Sequence, residues 1–245
     1  MSYKQNYIAH IHKLLDQILD TQEAVIDICA ESISRVIQEQ HAVFVFGASH
    51  AGILAQEMFY RTGGLAVLNP ILPSEVMLNT RPVTQTSAME RIEGYGEVIL
   101  NHTPIQAGDI LIIHSVSGRN TIAIEMALAA KQKGIQVIAI TNLTYSKQVT
   151  SRHRSGKRLY ECADYVIDNC GDFEDSCMLL EGMDQKIAPT STVCGAAIVN
   201  MLIEVVEYLL KQGIEPPIFH SANVDGGDAF NQALLEKYKD QIYYM

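Results

Sequence analysis

Three hydroxyl side chains lie within seven residues of one another, at Ser115, Ser117 and Thr121, with Gly118 among them. The segment follows an apolar run and precedes an Ala-rich stretch, 120–133, whose apolar spacing predicts a helix. The first amides of a helix have no intrahelical partner, and the helix dipole places roughly half a positive charge there. Hydroxyl donors, with a glycine that lets the backbone approach closely, therefore predict a phosphate-binding loop. The alternative is ordinary N-capping, which needs only one of the hydroxyls.

A second polar loop, 47–52, also follows an apolar run and opens a predicted helix. It fits neither common nucleotide motif. Ser49 stands where the dinucleotide fingerprint needs a glycine, and Ile53 follows Gly52 where the P-loop needs a lysine. The loop is therefore either a ligand-binding turn or a tight connection between a strand and a helix.

Two residues elsewhere have side chains suited to proton transfer. Glu57 lies four residues after Ile53, on the apolar side of its predicted helix, where a carboxylate could accept a proton from a carbon next to a carbonyl. Its alternative role is an ion pair with Arg61, one helical turn further on. His220 lies in a Gly-rich polar loop that could close over a site, and the alternative is a histidine that is simply exposed.

The composition argues against several classes of function. The chain has 245 residues, 48% of them hydrophobic, and a net charge of −10, which predicts a globular protein that binds neither nucleic acid nor an anionic membrane. Its richest apolar stretch, 196–210, is interrupted by Asn200, Glu204 and Glu207, so we expect no membrane span. Five cysteines without a C-x-x-C pair predict reduced thiols in a cytoplasmic protein, with no metal site and no cofactor.

The candidate residues must be positioned by helices and strands, which are predicted to alternate along the chain. An amphipathic pattern predicts one long helix over 3–38, and longer helices are also predicted over 87–101 and 190–210. Short apolar runs between the helical stretches predict strands at 42–46, 65–68, 110–113, 135–140 and 165–167. Because these runs are apolar throughout, they indicate an α/β protein whose parallel sheet is covered by helices on both faces.

The chain contains no repeat and no convincing linker, so we predict a single domain over 1–245. Residues 1–40 form its helical N-terminal extension, and residues 213–245 form a C-terminal extension. Ligands of such sheets bind beyond the carboxyl ends of the strands.

The sequence HSVSGRNT, from His114 to Thr121, together with the strand that ends at Thr141, resembles the core signature of the sugar isomerase (SIS) domain. The sequence FGASH at 46–50 is similar to the first substrate loop of that family, and APTST at 188–192 fits the start of its last long helix. The resemblance spans about residues 35 to 212. It implies a three-layer sandwich with a mainly parallel, flavodoxin-like sheet and a phosphorylated sugar as the ligand.

The resemblance also implies roles for individual residues. The phosphate and the sugar would be bound by Gly47, Ser49, His50, Ser115, Ser117, Gly118, Asn120, Thr121 and Ser191. Because members of the family are usually dimers or tetramers with shared sites, we expect a homodimer or a homotetramer.

Within the family, Ser49, His50 and Glu57 are similar to residues of the phosphoheptose isomerases, in which a glutamate on this helix acts on the sugar. That resemblance implies an aldose–ketose isomerase with Glu57 as base and with His50 or His220 polarising the carbonyl. Asn200 stands where those isomerases carry a catalytic histidine, and an amide cannot shuttle a proton. Two alternatives therefore stay open: an amino-sugar-phosphate etherase or lyase, and a sensor that binds a sugar phosphate without turnover.

Overall fold

Five strands form the centre of the protein in a computed structural model, which describes residues 2–245. In chain order they are β1 (Val43–Gly47), β2 (Leu68–Ile71), β3 (Ile110–His114), β4 (Gln136–Thr141) and β5 (Tyr165–Asp168). All pairings are parallel, and the order across the sheet is β2-β1-β3-β4-β5. The predicted parallel sheet is confirmed, and this order is that of the flavodoxin-like folds.

Each strand sends alternate side chains into two hydrophobic layers. In β1, Val43 and Val45 belong to the core cluster on one face of the sheet, whereas Phe44 and Phe46 belong to the cluster on the other face. Every residue of β1 and β3 is buried. Because both faces are covered, these strands are apolar along their whole length rather than at alternate positions.

Helices cover both faces of the sheet. In chain order they are α1 (Tyr3–Gln38), α2 (Ile53–Met58), α3 (Thr84–Met89), α4 (Tyr95–Asn101), α5 (Thr121–Gln132), α6 (Leu143–Ser146), α7 (Ser191–Met201), α8 (Glu204–Lys211) and α9 (Gly227–Lys237). Helices α1, α2, α7 and α8 supply the core on one face, and α4 and α5 supply it on the other. The three-layer α/β fold is therefore confirmed.

The long N-terminal helix α1 is also confirmed. It begins at a capping box, in which the Ser2 hydroxyl accepts from the Gln5 amide and the Gln5 side chain accepts from the Ser2 amide. Its buried side, which includes Ile18 and Ile33, packs into the core. This packing against the body of the fold stabilises a helix far longer than average.

Three predicted elements differ from the structure. The stretch 87–101 forms two helices, because Gly94 has a φ of 85°, which an α-helix cannot contain. The stretch 190–210 is likewise divided, into α7 and α8. The strand predicted at 65–68 is β2, which begins at Leu68 and includes Pro70; an edge strand tolerates a proline because one of its sides is unpaired.

The C-terminal segment, 213–245, packs against the edge strand β2. Leu65, just before β2, forms an antiparallel bridge with Ile218. The Asn69 side chain donates to the Gln241 carbonyl at 2.9 Å and accepts from the Tyr243 amide at 2.7 Å. These contacts cover a sheet edge that would otherwise offer unpaired backbone groups.

One stretch, Ser191–Lys211, has the length and composition of a membrane span, with a mean hydropathy of 1.8 over an 18-residue window. This stretch qualifies by length and composition alone, and it contains Asn200, Glu204 and Glu207, the polar residues that led us to expect no membrane span. A single such stretch is weak evidence, because the core helix of a soluble protein passes the same test. In this fold 39% of the window is buried, and Cys194, Ile198 and Leu209 belong to the core beside α1.

Candidate functional site

A cavity of about 210 Å³ opens at the carboxyl ends of β1 and β3. We call it the strand-end cavity, and it is lined by Ala48, Ser49, His50, Ala51, Glu90, His114, Ser115, Val116, Ser117, Asn120, Ile122, Ala123, Tyr145 and Asp175. β1 and β3 are the neighbours at which the strand order reverses. Connections from two such strands diverge to opposite faces of the sheet, which leaves a crevice between them.

The loop after β3 places two hydroxyls in this cavity. Ser115 and Ser117 both line it, and among the hydrogen bonds of residues 2–245 none uses either hydroxyl. The loop turns sharply at Gly118, whose φ is 60°. A Cβ atom there would lie 2.9 Å from Ser146 Oγ, so the turn needs a glycine.

Helix α5 begins at this loop without a side-chain cap. Asn120, at the N-cap position, instead donates from its amide group to Glu90 and accepts from Arg152 Nη1 at 2.7 Å. The ordinary N-capping expected as the alternative is therefore absent from this helix. Its N-terminus, with the positive end of the dipole, faces the cavity beside Ser115 and Ser117.

Two residues predicted to bind the ligand point elsewhere. Thr121 is fully buried, and its hydroxyl donates to the Arg152 carbonyl at 3.2 Å. Ser191 is also buried, and its hydroxyl donates to Asp175 Oδ2 at 2.6 Å. Neither residue lines the strand-end cavity. Each hydroxyl instead forms a hydrogen bond to another loop, at Arg152 or at Asp175.

The loop after β1 brings Ser49 and His50, both predicted to bind the ligand, into the cavity. Ser49 has a φ of 53°, an uncommon conformation for a residue with a side chain. Gly47 does not line the cavity and instead makes the turn possible, because a Cβ atom there would lie 2.4 Å from the Ala51 carbonyl oxygen. The loop is therefore both a tight connection and part of the site.

Glu90 is the main cavity residue that the sequence did not predict. It follows α3 and accepts hydrogen bonds from the Ser49 hydroxyl and the Asn120 amide, which joins the two loops of the cavity. Its backbone carbonyl also accepts from the Ile122 amide of α5 at 3.1 Å. No strand precedes Glu90, so no motif marked it.

His114 ends β3 and lines the cavity while being almost fully buried. Its Nδ1 lies 3.0 Å from the Ala51 carbonyl oxygen, an acceptor, so Nδ1 carries the proton of the neutral ring. Burial lowers the pKa of His114, opposed in part by the hydrogen bond to Ala51 and by the charge of Asp175. Its Nε2 is buried without a partner in the described chain, so it offers an acceptor to a ligand hydroxyl.

Asp175 reaches the cavity from the loop after β5. One carboxylate oxygen accepts from the amides of Thr190 and Ser191, at 3.2 and 2.8 Å, and thereby holds the start of α7. Glu174 and Asp175 both have positive φ, near 60°. The acid-rich run after a predicted strand is the sequence signal that marks this residue.

Three arginines, Arg91, Arg119 and Arg152, lie close enough to influence one another near the start of α5, although the whole chain is acidic. Arg152 contacts Asn120 at the start of α5. Burial, followed by the positive charges of Arg119 and Arg91, lowers the pKa of Arg152. Mutual repulsion of this kind is relieved when an anion binds among the guanidinium groups.

Residues 6–142 match the profile of the SIS domain. This chain belongs to the SIS-domain family. It is 50% identical over 246 residues to a UPF0309 protein of Shouchella clausii, and 49% identical over 246 residues to a UPF0309 protein of Oceanobacillus iheyensis. Both alignments cover 100% of each chain.

Solved structures share the fold of this SIS-domain protein at low sequence identity. A phosphoheptose isomerase of Francisella tularensis has a TM-score of 0.53 and 14% identity, over 83% of this chain and 96% of that chain. The sugar isomerase domain of an RpiR transcription factor of Sphaerobacter thermophilus has a TM-score of 0.50 and 14% identity, over 98% and 99%. At these identities the likeness establishes the fold alone.

The SIS-domain fold does not bring Glu57 and His220 into the strand-end cavity of their own chain. Glu57 forms an ion pair with Arg61 and lines a different cavity, of about 210 Å³, together with Asn200. His220 is exposed and stacks on Phe230, with ring centroids 3.7 Å apart. Within one chain, Glu57 therefore occupies the position expected of an ion-pair partner, and His220 that of an exposed histidine.

A second group of polar side chains lies outside the strand-end cavity. His10, Asp172 and Cys177 each place a potential metal ligand within 4.8 Å of the other two. Sequence spacing gave no sign of this group, because His10 and Asp172 are 162 positions apart.

Proposed function

We propose that this SIS-domain protein binds a phosphorylated sugar in the strand-end cavity. The observation that carries the proposal is the pair of unpaired hydroxyls, Ser115 and Ser117, at the uncapped N-terminus of α5. A phosphate would accept hydrogen bonds from both hydroxyls and would interact favourably with the helix dipole. The positive charges of Arg91, Arg119 and Arg152 near the start of α5 add to the attraction.

The rest of the cavity is suited to a polyhydroxylated ligand. Glu90 and Asp175 offer carboxylate acceptors, and His114 Nε2 offers a buried acceptor that has no partner. Ser49 and His50 supply further polar groups beside them. Buried polar atoms are normally hydrogen-bonded, so a sugar hydroxyl is a suitable donor to His114 Nε2.

The reaction we propose is interconversion of an aldose phosphate and a ketose phosphate. A base takes the proton from C2 of the aldose and returns it to C1, while the two neighbouring oxygens exchange a proton. Glu90 is our candidate base within one chain, since it lies in the cavity and, unlike Asp175, does not hold the start of α7. Glu57 could act on a bound sugar across a subunit interface, which is the arrangement that the family resemblance implies. In either case His50 is our candidate to polarise the carbonyl, because the other imidazole of the cavity, His114, donates its ring proton to the Ala51 carbonyl.

Binding without turnover is the second candidate function. It is favoured by Asn200, whose side-chain amide donates to the Ala196 carbonyl at 2.8 Å and cannot transfer protons. His220, the other source of an imidazole, is exposed. A sensor would use the same phosphate-binding loop and would need neither glutamate. For either function we place the protein in the cytoplasm, where its five free cysteines would stay reduced.

A thermal-shift panel tests the binding proposal. Aldose and ketose phosphates of different lengths are compared with the same sugars lacking phosphate and with inorganic phosphate. At 100 times its Kd a ligand stabilises the folded protein by roughly 2.7 kcal/mol, which is readily detected. We expect at least one sugar phosphate to raise the melting temperature when its unphosphorylated form does not. If no sugar phosphate does so, the proposal is wrong.

The sugar phosphate that binds is then incubated with the protein and followed by NMR. Formation of the isomeric sugar phosphate supports the isomerase, loss of a substituent supports a lyase, and binding with no product supports the sensor. For an isomerase, Glu90→Gln should lower turnover by about 10²–10⁴-fold, the usual contribution of a general base. Glu57→Gln is the matched variant, because it makes the same change on a carboxylate outside the cavity. Loss of turnover in Glu57→Gln with normal turnover in Glu90→Gln would assign the base to Glu57.

A further inference from the structure

His10, Asp172 and Cys177 converge from two distant parts of the fold. His10 lies on α1, and the other two lie on the loop between β5 and α7. Their nitrogen, oxygen and sulfur atoms all lie within 4.8 Å of one another, and His10 Nε2 is 2.6 Å from Asp172 Oδ2. We propose that these three side chains bind a zinc ion.

The backbone that carries the donors is held by contacts that do not involve a metal. Asn142 Nδ2 donates to the Asp172 carbonyl at 3.0 Å. The Cys177 amide donates to the Ile187 carbonyl at 3.1 Å, and Met178 forms an antiparallel bridge with Ile187. Donors on a fixed framework lose little conformational freedom when the ion binds, which favours binding.

A tetrahedral zinc ion would require the donor atoms to move from their present spacing, which is 2.6 Å for His10 and Asp172 and at most 4.8 Å for the pairs with Cys177. Zinc lies about 2.0–2.1 Å from nitrogen or oxygen and about 2.3 Å from sulfur, so the ligand atoms stand roughly 3.3–3.6 Å apart. The His10–Asp172 pair would therefore separate by about 0.7 Å. Side-chain rotation can supply this movement, because His10 and Asp172 keep 27% and 20% of their side-chain surface exposed.

The chemistry of the donors selects the ion. A thiolate and an imidazole suit zinc, whereas magnesium and calcium prefer oxygen ligands alone. Three protein ligands leave a tetrahedral ion one position for water. The ion would connect α1 to the loop that carries Asp175 into the strand-end cavity, so we expect it to stabilise the fold.

Zinc uptake by the chelator-treated protein, kept reduced, tests the proposal without any sugar phosphate. Calorimetry should give one zinc ion per chain. With cobalt as the probe, the spectrum should show the visible bands of tetrahedral Co²⁺ and a thiolate-to-cobalt charge-transfer band. Cys177→Ser should abolish that charge-transfer band, and His10→Gln should weaken zinc affinity about tenfold or more.

Matched controls are available on the same elements. His12→Gln changes an exposed histidine two residues from His10, and Asp184→Asn changes an exposed aspartate on the same loop as Asp172. Both should bind zinc like the unmodified protein, and circular dichroism checks that every variant is folded. Failure of the unmodified protein to bind zinc overturns the proposal, as does an unchanged cobalt spectrum in Cys177→Ser. Because no step uses a sugar phosphate, the result is independent of the proposed function.

Discussion

At the scale of single residues, the two hydroxyls of the loop after β3 support the phosphate-binding proposal most directly. Ser117→Ala removes one hydrogen bond to a charged phosphate, which is worth about 1.5–3 kcal/mol. Affinity for the sugar phosphate should therefore fall about tenfold to a hundredfold. Calorimetric titration of the purified variant measures this change directly.

Ser87→Ala is the matched control for this experiment. Ser87 is an exposed serine on α3 that does not line the strand-end cavity. Its loss should leave the affinity unchanged, and both variants should keep the unfolding free energy of the original protein. Equal affinities for Ser117→Ala and the original protein would remove this loop as the phosphate anchor.

His114 makes stability depend on pH in a defined direction. Burial lowers its pKa in the folded protein, whereas in the unfolded chain the pKa returns to about 6.5. Between these two values the unfolded chain binds a proton that the folded protein does not bind. The free energy of unfolding should therefore fall as the pH drops below about 6.5, by at most about 1.4 kcal/mol per pH unit from this group.

Urea unfolding at several pH values from about 7.5 to about 5 measures the slope of stability with pH. His114→Asn keeps an amide that can donate to the Ala51 carbonyl but cannot titrate, so its slope should be smaller than that of the original protein. Identical slopes for the two proteins would mean that His114 does not contribute to the pH dependence.

At the scale of the elements, the turn from β1 into the next helix depends on Gly47. In Gly47→Ala the new methyl would lie 2.4 Å from the Ala51 carbonyl oxygen, and the backbone there has no room to move. We expect the unfolding free energy to fall by about 1–3 kcal/mol and the sugar phosphate to bind more weakly, because Ser49 and His50 follow directly.

Gly195→Ala is a matched comparison for Gly47→Ala. Its methyl would lie 2.5 Å from Leu54 Cδ1, in a buried side chain rather than in the backbone, and the gain of about 1 kcal/mol for alanine over glycine in a helix offsets part of the repacking cost. Denaturant unfolding should therefore find Gly195→Ala less destabilised than Gly47→Ala. The reverse order would show that the turn tolerates a side chain.

The elements were largely predictable from the sequence, and the reason is their apolar patterning. Strands buried on both faces, such as β3 and β4, are short and mostly apolar runs rich in isoleucine and valine, which predicts buried strands. The weaker predictions fall where a local feature interrupts the pattern, such as Gly94 inside 87–101. The predicted bounds of the edge strand β2 were wrong because Asn69 and Pro70 interrupt its apolar pattern.

At the scale of the whole molecule, only some of the residues that line the cavity could be predicted from the sequence. Ser49, His50, Ser115 and Ser117 lie directly after predicted strands, so the topology places them at one edge of the sheet. Glu90 lies in the connection between β2 and β3, and its position in the cavity depends on tertiary packing rather than on a local sequence pattern. The His10–Asp172 contact joins α1 to the loop after β5 and likewise depends on how distant parts of the chain pack.

The surface of α1 and of the α7–α8 pair is unusually apolar for a face in contact with water. A groove between them is lined by residues of both, including Leu19 and Ile203, which are 51% and 48% exposed. Further exposed apolar side chains on the same helices are Ile8, Ile28, Val193 and Leu210. Contact with a second copy would bury the groove.

We therefore predict a homodimer or a larger assembly that buries this face, which would also place Glu57 and Asn200 near an interface. An obligate interface commonly buries about 2,000 Å² or more, and a charge at its apolar centre opposes association. Light scattering at micromolar concentration should find at least a dimer for the original protein and a monomer for the double variant Leu19→Asp, Ile203→Asp. Val98→Asp, an equally exposed position on α4 at the other face of the sheet, should leave the assembly intact. A monomeric original protein would contradict the prediction and leave Glu57 without a route to any sugar.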